Sequence, residues 1–294
     1  MSATSALPVV RALPADYLSL AKPRITLMVA LTGVVGYLMA GPVSPSASRF
    51  LGAFLGIALV AGGASCFNML LERRNDALMR RTASRPLPAG RLTIGEAMLV
   101  GSGLTVTGLL LLSLLATPLS ALVGAFTWAC YVFAYTPLKT RTSLATIVGA
   151  VPGALPPVIG WAAARGSLDS GAWVLFAILF CWQIPHFLAI AWIYRDDYAR
   201  GGILMLPVLD PEGRITGRQA VANSLALTLV SLLPTTAGMA GLSYFCGALL
   251  LGLMFTGVAL RAALLRSPGS IRALFATSIL YLAALCTLLL LNRS

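Results

Sequence analysis

A chain of 294 residues that is 58% hydrophobic and only 10% charged, with a mean hydropathy of +0.88, is excluded from the soluble globular domains, whose charged fraction is about 25%. Its net charge of +12 lies in the loops between apolar runs, which marks membrane topology rather than a nucleic-acid partner. The face that carries this charge would attract anionic lipid head groups and diphosphates.

Apolar runs of about 20 residues can each cross a bilayer. Nine are expected, at roughly 25–40, 51–71, 97–116, 119–135, 146–163, 172–194, 219–241, 244–264 and 271–291. No intervening segment is long enough for a soluble domain, so residues 1–294 are expected to form one all-α integral membrane domain. Basic residues near helix ends are retained on the cytoplasmic side. Placing the N-terminus there puts every Lys and Arg except Arg49, Arg165 and Arg293 on that side, Arg11 included. The expected topology therefore has the N-terminus cytoplasmic and the C-terminus extracytoplasmic. The first residues have neither the apolar core and cleavage site of a signal peptide nor the features of an organelle import sequence, so a bacterial inner membrane is the expected location. The five cysteines all fall inside predicted spans with no C-x-x-C pair, as small apolar packing residues do.

In chain order, LAKPRIT (20–26) leads into the first span, with Lys22 and Arg24 as snorkelling anchors and Pro23 in the first helical turn. The second span runs out into NMLLERRNDALMRRTASRP, residues 68–86. If the helix continues, Asn68, Glu72 and Asp76 fall at i, i+4 and i+8 and line one face. Such an oxygen-rich face suits Mg2+, which is held by one or two carboxylates together with substrate phosphate oxygens. Arg80, Arg81 and Arg85 follow, and their planar forks match phosphate oxygens. The alternative is a solvated helix end.

The third and fourth spans form a tight hairpin near Pro118, and the fourth ends in YVFAYTPLKTRTS, which adds Lys139 and Arg141 to the cytoplasmic face. The fifth span holds three prolines and three glycines in TIVGAVPGALPPVIGW. It must kink, either as a cavity wall or for purely structural reasons. The sixth carries Trp182-Gln183-x-Pro185-His186-Phe187, and the loop after it holds Asp196, Asp197, Tyr198, Gly202 and Met205-Leu206-Pro207. His186 is the one histidine of the chain. By itself it is either a hydrogen-bonded packing residue or a ligand. Pro88, Gly90, Arg91 and Thr93 align with Pro211, Gly213, Arg214 and Thr216, suggesting duplicated four-helix units at about 20–140 and 143–264, plus a final helix.

The pattern N-x3-E-x3-D-x2-M-x-R-T-x2-R-P over 68–86 resembles the first signature of the UbiA superfamily of intramembrane prenyltransferases. The segment W-Q-x-P-H-F with D-Y and M-L-P is similar to the form carried by that superfamily's haem O synthases, the protohaem IX farnesyltransferases. The resemblance implies a helical bundle around a cavity open to the cytoplasmic side. It implies transfer of a farnesyl group from farnesyl diphosphate to the 2-vinyl group of haem B, with addition of water, giving haem O. On the same ground Mg2+ would be held by Asn68, Glu72 and Asp76, with Asp197 and Asp196 serving a second ion. Arg80, Arg81, Arg85, Lys139 and Arg141 would hold the diphosphate, and His186, Trp182 and Gln183 would contact haem, His186 through iron or a propionate. Phe67, Tyr135, Trp182 and Phe187 could face the allylic cation or simply pack. The family's Lys-Arg pair after Y-T-x-x-L is interrupted here by Thr140, which weakens the case for Arg141. The expected partners are farnesyl diphosphate, haem B and membrane lipid, and a haem-modifying or oxidase-assembly protein would take the product. Two rivals share some of these features: a prenyltransferase acting on an aromatic quinone precursor, and a transporter or haem-handling assembly factor, for which broken helices and internal repeats are ordinary.

Overall fold

The computed structural model describes residues 12–41 and 46–293; Arg11 and the loop sequence at 42–45 lie outside them. The described residues are helical, with no strand among them and one isolated bridge, Ala240 to Arg293. In chain order the α-helices are α1 (Pro14–Leu20), α2 (Pro23–Ala40), α3 (Ala47–Leu78), α4 (Ile94–Leu111), α5 (Pro118–Ala129), α6 (Thr136–Leu138), α7 (Ala145–Ala154), α8 (Pro156–Arg165), α9 (Ser170–Ile193), α10 (Arg195–Arg200), α11 (Leu206–Leu209), α12 (Arg214–Val230), α13 (Leu233–Thr236), α14 (Leu242–Leu265) and α15 (Pro268–Leu291).

The starts of these helices follow their sequences. Ser46 caps α3 by accepting from Arg49 N–H, and Thr93 caps α4 in a reciprocal box with Glu96. Thr117 caps α5 with Pro118 in the first turn. Two helices carry π-helical turns, Leu112–Ala116 after α4 and Cys130–Tyr135 between α5 and α6. Such turns are rare and often mark functional segments. The second lies just ahead of Pro137, and Thr136 Oγ1 donates to Tyr131 O at 2.8 Å.

Among the described residues eight helical runs are long and apolar enough to cross a membrane, so the chain is a multi-pass integral membrane protein. The expected run 219–241 is the exception: α12 stops after 17 residues and α13 follows a turn at Ser231 and Leu232. Pro234 explains the break, since its ring excludes the carbonyl of Val230 and it has no N–H to give. Interrupted backbone at membrane depth needs protein partners. Tyr244 OH donates to Ser231 O at 2.8 Å, and Ser231 Oγ meets Tyr281 OH at 2.8 Å.

The proline-rich fifth run divides at Leu155 into α7 and α8. α2 and α8 touch backbone to backbone: a Cβ at Gly36 would sit 2.0 Å from Pro157 O, and one at Gly160 1.9 Å from Gly33 O. Small residues at the contact are how membrane helices approach closely without a hydrophobic driving force.

α3 has 32 residues, roughly 48 Å at 1.5 Å per residue, against a hydrocarbon core of about 30 Å. One end must extend past the apolar layer, and its last three turns hold Asn68, Glu72 and Asp76. The aligned loop glycines, Gly90 and Gly213, share left-handed φ values of +70° and +72°. Their helices are nonetheless capped differently. Thr93 caps α4, whereas Asp210 Oδ2 accepts from Thr216 N–H at 2.7 Å and Thr216 Oγ1 at 2.9 Å in the first turn of α12. Burial alone would raise the Asp210 carboxyl, but these donors outweigh it and hold it below the ordinary range.

Candidate active site

Asn68, Glu72 and Asp76 do share one face of α3, and all three are buried. Each side chain of this ladder meets a cation. Lys22 Nζ donates to Asn68 Oδ1 at 2.9 Å, Lys139 Nζ lies 2.7 Å from Glu72 Oε1, and Arg85 Nη1 donates to Asp76 Oδ2 at 2.7 Å. Asn68 Nδ2 donates to Thr136 Oγ1 at 3.2 Å, which orients the amide with its oxygen toward Lys22. Asp76 Oδ1 is buried without a hydrogen-bond partner. A buried carboxylate oxygen left unpaired is costly, and a set of hard oxygens containing one is a fitting seat for Mg2+.

The surrounding backbone is shaped for this arrangement. Lys22 has φ +48° and ψ +61°, a left-handed conformation in which a residue other than glycine is strained and which is unusual ahead of a proline. Burial, with Arg85 and Lys139 nearby, pulls its amine down to about 8. Lys139 follows α6 and sits 4.5 Å from the centre of the Tyr135 ring. Burial would lower its amine, but the Glu72 carboxylate outweighs this and holds it well above the ordinary lysine range. The 201–205 loop braces the same corner: Leu204 N–H donates to Lys139 O at 2.8 Å, and Asn75 Nδ2 to Gly201 O at 2.7 Å. The M-L-P segment thus does packing work, with Met205 buried against Met79, Ala191 and Ile203.

The second acidic pair does not join the ladder. Asp197 is buried and both its oxygens are occupied: Oδ1 by Arg80 N–H at 3.1 Å and by Arg200, Oδ2 by Arg81 N–H at 3.2 Å. Burial would raise this carboxyl; the Arg80 and Arg81 N–H groups and Arg200 outweigh it and hold it below the ordinary range. Asp196 is 85% exposed and 3.7 Å from Arg195. Among the described residues no group of three or more His, Cys, Asp and Glu side chains is placed to share a metal. The expected second ion at Asp196 and Asp197 therefore does not fit this arrangement, because Asp197 is saturated with donors and Asp196 faces water.

The family model for UbiA prenyltransferases matches residues 28–288. The chain belongs to the UbiA prenyltransferase family. It is 48% identical over 287 residues to the protoheme IX farnesyltransferase of Solibacter usitatus, covering 95% of this chain and 98% of that one. It is 42% identical over 297 residues to that of Koribacter versatilis, covering 98% and 96%. Its fold superposes on a digeranylgeranylglyceryl phosphate synthase with a TM-score of 0.78 at 15% identity, covering 95% of this chain and 97% of that one. The UbiA homologue of Archaeoglobus fulgidus bound to GPP and Mg2+ gives 0.72 at 16% identity, covering 93% and 99%.

In this UbiA chain the remaining predicted residues scatter. Arg80 and Arg81 line a cleft with Arg200 instead of the ladder, and Arg141 is exposed. His186 and Trp182 face α15. Trp182 Nε1 donates to Ser278 O at 2.7 Å, the two rings stack with centroids 4.8 Å apart, and His186 Nδ1 meets Ser278 Oγ at 2.7 Å. Ser278 Oγ also reaches Phe275 O at 2.6 Å; with its hydrogen on that carbonyl, Nδ1 would donate to Oγ and Nε2 would present a lone pair. Gln183, one residue on, turns the other way, donating to Ala150 O at 3.2 Å and Leu179 O at 2.9 Å. Phe67 packs edge-on against Trp128.

Lys22 was missed as a site residue, because a lysine at a span's start reads as an anchor. The available signal is Pro23, which fixes the first helical turn and leaves Lys22 as the cap. Thr136 and Ser278 carry no sequence signal.

Proposed function

We propose that this chain transfers the farnesyl group of farnesyl diphosphate to the 2-vinyl group of haem B, giving haem O. The observation that carries prenyl transfer is the oxygen ladder of α3 with one cation on each member; the acceptor rests on the likeness to the protoheme IX farnesyltransferases. The chain crosses a bacterial inner membrane nine times, α12 and α13 together making the seventh crossing, with the N-terminus cytoplasmic and the cavity opening to that side.

Asn68, Glu72 and Asp76 would hold Mg2+, which when bound supplies positive charge against a diphosphate leaving group. Lys22, Lys139 and Arg85 exchange their ladder partners for diphosphate oxygens and stabilise the charge that develops as the farnesyl C–O bond breaks. The apolar bundle keeps water from the allylic carbon. The vinyl group's terminal carbon forms the new C–C bond, and water then adds to the adjacent carbon with loss of a proton. His186 and Trp182 contact the tetrapyrrole, with Nε2 of His186 as the available ligand atom, while Gln183 is turned to α7.

Protein in lipid given Mg2+, farnesyl diphosphate and haem B should yield haem heavier by one farnesyl and one hydroxyl group, and none without Mg2+. Unchanged haem from folded protein that instead prenylates an aromatic acid would overturn the acceptor. Replacing Lys22 by Ala should raise the KM for farnesyl diphosphate about tenfold or more, the loss of one charge-assisted contact; steady-state kinetics with an unaltered KM would remove Lys22 from the site.

A further inference from the structure

We propose that the cleft bounded by Arg80, Arg81 and Arg200 is a carboxylate site that receives the propionates of the tetrapyrrole, separate from the cations that receive the diphosphate. This assignment rests on haem B being the acceptor. The cleft has a volume of about 400 Å3 and is completed by Ile193, Tyr194 and the aspartates 196 and 197.

Three features make it a built site. Asp197, buried beneath it, accepts from the backbone N–H groups of both Arg80 and Arg81 and from Arg200, so one carboxylate fixes the turn and the third arginine together. The Arg81 guanidinium lies 5.0 Å over the Tyr194 ring and 6.0 Å from that of Tyr198, which sets the plane of its fork. Arg80 is exposed, so its charge is open to a ligand. Of the two carboxylates at the cleft, Asp197 is paired with these donors and Asp196 is turned to water beside Arg195.

The chemistry of the cleft suits a carboxylate better than a diphosphate. A prenyl diphosphate is bound together with Mg2+, and the oxygens fit for that ion are on α3. In the cleft the buried carboxylate is saturated by donors and has nothing to give a metal. Planar guanidinium forks match carboxylates without one. The position also suits an amphipathic disc whose two acids share one edge. Ile193 at the cleft lies seven residues after His186 on α9, two turns or roughly 10 Å along the same helix face, leading from the apolar bundle to its surface.

The test uses the full chain in phosphatidylcholine nanodiscs, titrated by Soret absorbance with haem B and with its dimethyl ester. Displacement of labelled farnesyl diphosphate is measured in parallel with Mg2+. The wild type should prefer the free acid about tenfold, equivalent to one charge-assisted pair. The double variant R80Q/R81Q should lose that preference while its farnesyl diphosphate affinity changes less than about twofold. Should that variant not fold, Arg81→Lys keeps the charge without the fork and should retain only part of the preference. A folded variant that keeps the full acid preference, or loses farnesyl diphosphate affinity instead, overturns the proposal. Equal wild-type affinity for acid and ester overturns it while leaving haem as acceptor. A wild type that binds farnesyl diphosphate but no haem overturns the acceptor, and this proposal with it.

Discussion

Replacing Asp76 by Asn is expected to lower turnover about a thousandfold, the upper range for loss of one preorganised charge-stabilising group, while leaving a folded protein. Asp76 is 1% exposed. It offers one oxygen to Arg85 and holds the other, Oδ1, unpaired. The amide keeps the shape and an acceptor for Arg85 but removes the negative charge that a divalent cation needs. The Mg2+ concentration for half-maximal rate should rise along with the loss of kcat. Thermal melting in detergent should show a modest loss, about 1–2 kcal/mol, since Arg85 remains partly exposed and can turn to water. Full activity in the folded variant would remove Asp76 from the catalytic machinery.

Lys139→Met should have the largest effect on stability. The side chains of Lys139 and Glu72 are 11% and 10% exposed, and removing one partner of a buried pair leaves an uncompensated charge at a cost of about 3–5 kcal/mol. The double variant K139M/E72M should recover most of that stability, because a well-packed apolar pair replaces a buried ion pair at little cost, yet should remain inactive. Denaturation midpoints of the two single variants and the double variant close the cycle. A single variant as stable as wild type would show that the pair contributes nothing to the fold. The folded-state pKa of Lys139 is raised, so the pair's contribution is complete below the unfolded lysine value of about 10.4 and fades only as pH climbs through the higher folded value. Around neutral pH the pair's contribution should therefore be present in full and should not vary with pH.

The contrast between Glu72 and its partners shows where sequence reasoning reached. Asn68, Glu72 and Asp76 could be set on one face because helical periodicity is local and α3 does not stop before Leu78. Two of their three cations are not local: Lys22 reaches Asn68 across 46 residues, and Lys139 reaches Glu72 from beyond two further spans. The Arg80 backbone N–H likewise reaches Asp197 across 117 residues. No periodicity carries such pairings. Asp197 shows the consequence: its motif suggests a metal ligand, and in the fold it is a hub for three donors. Gln183 and His186 are three residues apart yet serve α7 and α15, because helix rotation sends them to different neighbours.

By itself the sequence determined the membrane class, the helical architecture, the oxygen ladder and the UbiA signatures, all consequences of hydropathy, short-range spacing or contiguous motifs. The tertiary structure alone decided which cation meets which oxygen, that Lys22 meets Asn68, that Arg80 and Arg81 line a cleft with Arg200, and that the run 219–241 breaks at Ser231 and Leu232. The physical reason is the same in each case. These outcomes depend on which helices pack together and which buried polar groups then find partners, and packing joins residues far apart in the chain.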